Sequence, residues 1–99
     1  MKNNEIKKLL INFKSNPDKA LYISVIFQAV LDASKDNFCK EKKEAIAWFC
    51  ASIGVTCKNF EFICDNAGLE PKNVRQFASY VINSNEKDEL RNTILRIMA

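Results

Sequence analysis

The chain has 99 residues, of which 47% are hydrophobic, and a formal net charge of +3. This length suits one domain, because two independent hydrophobic cores need more chain. With only two glycines and two prolines, the chain lacks the turn residues that a loop-rich or all-β fold requires. Composition therefore predicts one all-α domain that covers residues 1–99.

The first predicted helix covers about residues 4–14 and carries the basic excess of the chain. Residues 1–19 contain five lysines and two carboxylates, so they account for the whole net charge, and the remaining residues are balanced. The apolar residues of this helix recur at the spacing of a single helix face. They are Ile6, Leu9, Leu10 and Phe13.

The second predicted helix covers about residues 17–34, with Ser15 or Asn16 as its N-cap and Pro17 in its first turn. It is apolar on nearly all sides. A helix with so narrow a polar face is surrounded by other elements. We therefore expect it to be the central helix of the domain, or one face of a homodimer. Its polar stripe is Ser24, Gln28, Asp32 and Lys35.

Four further helices with short connections are predicted in the rest of the chain. Gly54 is expected to end the third helix, because glycine commonly follows the last helical residue. The complete fold is then a compact bundle of five to six short helices. The third predicted helix covers about residues 39–52, and the fourth runs from an N-cap at Thr56 or Asn59 to about Ala67. The fifth covers about residues 71–82 and the sixth about residues 86–98.

Residues 60–79 have the pattern of a helix-turn-helix unit. The pattern requires a small residue in the first helix, a glycine at the turn, and apolar residues after the turn that seat the second helix. The residues at these positions are Cys64, Gly68, Leu69, Val74 and Phe77. The sequence therefore predicts a helix-turn-helix unit over about residues 59–82. A purely structural corner has the same requirements and remains an alternative.

The outer face of the second helix of this unit is a candidate DNA-binding surface, since its residue types read base edges or hold phosphates. Its residues are Lys72, Asn73, Arg75, Gln76 and Ser79. Lysines of the first predicted helix would add phosphate contacts; they are Lys7, Lys8 and Lys14. Residues 58–82 contain three basic and three acidic residues, so their charges balance. Any DNA affinity must therefore draw on the N-terminal lysines or on a dimer partner.

The sequence offers no catalytic or metal-binding pattern. It has no histidine, and its four cysteines form no CxxC pair, so no zinc site is expected. No nucleophile has an evident base, and we expect neither an enzyme nor a cofactor. We interpret the cysteines as small buried residues in a reducing compartment. They are Cys39, Cys50, Cys57 and Cys64.

The sequence also favours a cytoplasmic location without membrane contact. The first ten residues are charged, and no small-residue cleavage site follows an apolar run, so no signal peptide is expected. The longest apolar stretch, about residues 20–31, is too short to span a bilayer.

Three segments resemble a family of short phage and prophage proteins. Residues 21–33 read LYISVIFQAVLDA, residues 44–49 read EAIAWF, and residues 60–75 read FEFICDNAGLEPKNVR. Family members read roughly V-x-x-Q-A-x-x-D-A, A-x-x-W and F-x-x-V-C-x-x-A-G-L-D-P-x-x-V-R. Similar segments occur in regulators of alphaproteobacterial gene transfer agents. The resemblance covers about residues 20–77 and implies DNA binding or transcription control. This chain departs from it at Glu70, where the family has Asp, a better N-cap.

Together, the pattern and the resemblance predict a small DNA-binding protein of phage or prophage type, with a role in transcription regulation. The first alternative is a non-catalytic protein-interaction module, for example one that docks on RNA polymerase or on another phage protein. The second is a structural homodimer, because the apolar second helix needs cover on most sides.

Overall fold

A computed structural model describes residues 13–99, and all regular secondary structure within them is helical. Residues 13–15 are helical, while most of the first predicted helix, including Lys7 and Lys8, lies outside the described residues. The Cα radius of gyration is 12.6 Å, the value of a compact domain of this size. The predicted all-α bundle is confirmed. Its complete helices are α1 (Pro17–Ala33), α2 (Lys40–Cys50), α3 (Gly54–Ala67), α4 (Pro71–Asn83) and α5 (Lys87–Met98).

Helix α1 lies at the centre of the bundle, where its narrow polar face led us to expect it. It contacts each of the other four complete helices. The side chains of Ile23, Ile26 and Val30 are fully buried, and the ring of Phe27 packs against that of Phe77 of α4 at 6.5 Å between centroids. Burial of such apolar side chains is the main contribution to the stability of the fold.

Helix α1 begins at a side-chain cap. The Oδ1 atom of Asn16 accepts hydrogen bonds from the backbone N–H groups of Asp18 and Lys19, at 3.1 and 3.3 Å. Pro17 has no N–H group to satisfy, and the carboxylate of Asp18 suits the positive end of the helix dipole. Helices α2 to α5 have no side-chain hydrogen bond at their N-caps. Among the complete helices, Asn16 is therefore the one N-cap whose side chain bonds to the first turn.

The connection between α2 and α3 differs from the prediction. Gly54 does not end the earlier helix but is the first residue of α3, and Ile53 occupies the N-cap position expected for Thr56 or Asn59. The φ angle of Gly54 is +86°, a value that L-residues rarely adopt. Gly54 thus lets α3 begin directly after a three-residue connection. A glycine at such a place fits either the end of one helix or the start of the next.

The cysteines divide into two buried and two accessible thiols. Cys57 and Cys64 of α3 are buried, as predicted, whereas Cys39 is half-buried and Cys50 is exposed. The prediction for Cys50 is wrong because this residue ends α2, where the chain leaves the packed helix surface. Burial raises the pKa of the Cys64 thiol to about 12. Cys64 therefore stays protonated and unreactive at neutral pH.

Replacement of Asn16 by Ala tests the cap of α1. We expect the free energy of unfolding to fall by about 1 kcal/mol, because two N–H groups lose their acceptor. Glu70→Ala is the matched control at an N-cap without a side-chain hydrogen bond, and it should change the stability by less than about 0.5 kcal/mol. Urea unfolding measures both variants. Equal losses would contradict a specific role of Asn16.

Candidate nucleic-acid interface

Helices α3 and α4 meet at a tight glycine corner. Gly68 follows the last residue of α3 with a φ angle of +75°. Its N–H group donates to the carbonyl of Asp65 at 3.1 Å, and the N–H group of Leu69 donates to the carbonyl of Cys64 at 3.0 Å. These two bonds form a Schellman motif, which satisfies the last carbonyls of the helix. Cys64 and Ala67 are fully buried, so small residues allow the close approach of the neighbouring elements.

A lysine from the central helix lies against this corner. A Cβ atom placed on Gly68 would come within 2.9 Å of the Nζ atom of Lys19. The last turn of α3 contains no basic residue of its own. The ammonium group of Lys19 supplies a positive charge near the negative end of the helix dipole. Sequence reasoning missed Lys19 because this contact joins positions that are distant in the chain.

Helix α4 is strongly amphipathic. Its buried face contains Val74, Phe77, Ala78 and Val81. On the opposite side, four exposed polar residues follow one another at the spacing of a single helix face, and α4 contains no carboxylate. We call this surface the polar stripe of α4; its residues are Lys72, Gln76, Ser79 and Asn83.

The predicted residues of this interface are only partly brought together. Lys72, Gln76 and Ser79 are exposed on the polar stripe, and Asn73 is half-buried beside it. Asn83 was missed by the sequence analysis because it is the last residue of α4, beyond the predicted end of this helix. Its Nδ2 atom donates to the carbonyl of Ser79 at 3.0 Å. The helix thus ends one residue later than predicted, and the stripe extends from Ser79 to Asn83.

Arg75 points away from the polar stripe and toward the end of α2. Its Nε atom donates to the carbonyl of Phe49 and its Nη2 atom to the carbonyl of Ala51, both at 2.9 Å. Carbonyls at a helix C-terminus lack partners within the helix, and a positive charge is favourable there. The guanidinium group of Arg75 therefore caps the C-terminus of α2.

The same guanidinium group also contacts α3. Its Cζ atom lies 4.6 Å from the ring centroid of Phe60, a cation–π geometry. The Phe60 ring in turn makes edge-to-face contacts with Trp48 at 4.8 Å and with Phe49 at 5.9 Å. Arg75 thus joins α4 to both α2 and α3. The half-buried side chain of Arg75 is thus directed to α2 and α3 and not to the polar stripe.

The charge near the corner is mixed. Glu61 and Asp65 of α3 and Glu70 at the corner are all exposed, and Lys72 is the one cation of the polar stripe. Lys14 is exposed before α1, while Lys7 and Lys8 lie outside the described residues. The described part of the chain therefore presents a balanced rather than a strongly basic surface at this corner.

Within residues 13–99, no group of three or more His, Cys, Asp or Glu side chains is arranged to hold a metal ion. No helix in the same part of the chain has the length and apolar character needed to cross a membrane.

No family model, curated protein or solved structure matches the chain. The resemblance to phage and prophage proteins therefore stays a prediction. The structure does locate the residues that carry it. Phe60 of the third segment packs against Trp48 of the second segment and against Arg75 of its own. Part of the resemblance thus falls on residues that hold the helices together.

Replacement of Arg75 tests its structural role. We expect Arg75→Ala to lower the free energy of unfolding by about 2–3 kcal/mol, because two charged hydrogen bonds and a cation–π contact are lost. Arg75→Lys should recover only part of the lost stability, since an ammonium group cannot reproduce the two parallel hydrogen bonds of the planar guanidinium group. Thermal and urea unfolding measure the effect.

Arg96→Ala is the matched control for this substitution. The Nε atom of Arg96 makes a long bond of 3.4 Å to the carbonyl of Asn92 within the same exposed helix. Its loss should cost less than about 0.5 kcal/mol. A stability of Arg75→Ala equal to that of the wild type would refute the structural assignment.

Proposed function

We propose that the protein is a non-catalytic DNA-binding protein that regulates transcription, with α4 as its recognition helix. One observation carries the proposal: the polar stripe of α4 is exposed, contains no carboxylate, and begins directly after a glycine corner. In helix-turn-helix proteins, the helix after such a corner enters the major groove and contacts base edges with its N-terminal residues.

The dimensions and chemistry of the stripe suit this role. From Lys72 to Asn83 it spans about 16 Å at the helical rise of about 1.5 Å per residue, and the major groove of about 12 Å width admits a helix. A glutamine such as Gln76 can pair with adenine through both its amide atoms. Lys72 is suited to a phosphate or to guanine. Asn73 and Ser79 complete the set of polar contacts.

The proposal includes few phosphate contacts, so the affinity for DNA should be low. Lys72 and Lys14 are exposed cations, and Lys7 and Lys8 are proposed to add to them. Each phosphate contact contributes about −0.9 to the slope of log K against log salt concentration. Weak binding by one copy is therefore expected. A homodimer would place two α4 helices on half-sites about one helical turn of DNA apart.

A protein partner in place of DNA is the second candidate. The exposed carboxylates of Glu61, Asp65 and Glu70 would repel phosphates but would be acceptable in a polar protein interface, whose rim carries charges of both signs. In that case the same stripe would dock on a protein, for example RNA polymerase.

Fluorescence polarisation with labelled duplexes at low salt tests DNA binding. We expect Gln76→Ala to weaken binding of a preferred duplex about tenfold and to relax its sequence preference, because one base contact is lost. Lys72→Ala should weaken all duplexes alike and reduce the magnitude of the salt slope by about 1.

Lys43→Ala provides a control with the same change of charge as Lys72→Ala. Lys43 is on the exposed surface of α2, where its ammonium group lies over the ring of Phe38 at 5.6 Å. Its loss should leave DNA affinity within about twofold, a difference of less than about 0.5 kcal/mol. Absence of duplex binding at low salt, or equal losses from Lys43→Ala and Lys72→Ala, would refute the proposed interface.

A further inference from the structure

An open groove of about 600 Å³ lies between α1, α2 and the C-terminal end of α5. None of its lining residues belongs to α4, so the groove is separate from the polar stripe. One end is apolar and is formed by Leu21 and Val25 of α1 and Trp48 of α2, with Met98 of α5 also in the lining. Leu21 is 66% exposed and Val25 42% exposed, although both belong to the central helix.

The other end of the groove is acidic. Asp32, Glu41 and Glu44 line it, and no lysine or arginine of residues 13–99 does. Lys35 lies beside it, with its Nζ atom 3.6 Å from Asp32 and 3.8 Å from Glu41. Glu44 has no ion pair among the described residues. The lining of this end therefore carries three carboxylates, two of them paired with Lys35. Lys40, Lys42 and Lys43 belong to the same turns of α2 but are not in the lining.

The apolar and acidic ends follow from the antiparallel arrangement of two helices. The ion pairs of Lys35 place the end of α1 beside the start of α2. Leu21 and Trp48 consequently lie toward the opposite end. Along α1, the lining runs from Leu21 to Asp32, about 16 Å at the helical rise of about 1.5 Å per residue. This length matches about three turns of a bound helix.

We propose that this groove binds a basic amphipathic helix of a partner protein. Apolar side chains of the partner contact Leu21, Val25 and Trp48, as in other helix-in-groove complexes. Lysine or arginine side chains one or two turns away pair with Glu41 and Glu44. Charge complementarity of this kind fixes the direction of the bound helix and excludes acidic partners.

Charge also decides against a second copy of the chain as the occupant. A two-fold symmetric dimer places the same surface on both sides of the interface. Among the described residues, the lining contains three carboxylates and no cation, and the adjacent Lys35 of each copy already pairs with two of them. Two copies would therefore bring an excess of carboxylates together. Burial of unpaired carboxylates is unfavourable. The proposal is independent of DNA binding, because it uses none of the residues of α4.

Two synthetic peptides test the groove with the full-length protein. The first is a helical peptide of about 18 residues, with leucine on one face and lysine on the flanks, and the second has glutamate in place of every lysine. Fluorescence polarisation is expected to show saturable 1:1 binding of the lysine peptide and at least tenfold weaker binding of the glutamate peptide. In the double variant Glu41→Lys, Glu44→Lys, this preference should reverse.

The matched control is the double variant Glu61→Lys, Asp65→Lys on α3, which makes the same change of charge on exposed positions outside the groove. It should retain the affinity for the lysine peptide within about twofold. Val25→Asp should bind the lysine peptide at least tenfold more weakly, since it places a charge at the apolar end of the groove. Its helical circular dichroism should match that of the wild type.

Three results would overturn the proposal. The first is an equal loss of affinity for the lysine peptide in the two double variants, which would mean that binding depends on the net charge of the protein and not on the groove. The second is unchanged binding by Val25→Asp. The third is a dimer in light scattering that Val25→Asp dissociates, which would assign the groove to a second copy of the chain.

Discussion

The arrangement of α2, α3 and α4 depends on one guanidinium group. Arg75 bonds to two carbonyls at the end of α2 and stacks on Phe60 of α3. A buried aromatic cluster and a helix end are thereby joined to α4 by a side chain that carries its charge at every accessible pH. This contact acts together with the buried apolar face of α4, and the two fix which residues of that helix remain outside. Those residues are the polar stripe.

The position of Arg75 changes the chemistry of the proposed DNA-binding surface. With Arg75 used internally, Lys72 is the one cation of the stripe, and recognition must rely on hydrogen bonds from uncharged side chains such as Gln76. The groove between α1 and α2 has the opposite character, apolar at one end and acidic at the other. The molecule thus presents two chemically different surfaces. The first is the proposed DNA-binding surface, and the second is the proposed binding site for a basic helix.

Local signals in the sequence predict the helices well. Asn16 and Pro17 mark the start of α1, and the corner at Gly68 follows from requirements that act within one turn of chain. The start of α3 at Gly54 was missed because a glycine fits both a helix end and a helix beginning. The direction of Arg75 and the groove beside Val25 were missed for another reason. Both depend on contacts between distant segments, which helical periodicity does not encode.

An NMR titration with duplex DNA tests most directly whether Arg75 lies inside and the polar stripe outside. In protein labelled with ¹⁵N, we predict that the Nε–H resonance of Arg75 exchanges slowly with water, because its proton is bonded to a carbonyl. Addition of duplex at low salt should leave this resonance unchanged and shift the side-chain amide of Gln76. A DNA-dependent shift at Arg75 Nε–H, with the Gln76 amide unmoved, would contradict the assignment of both residues.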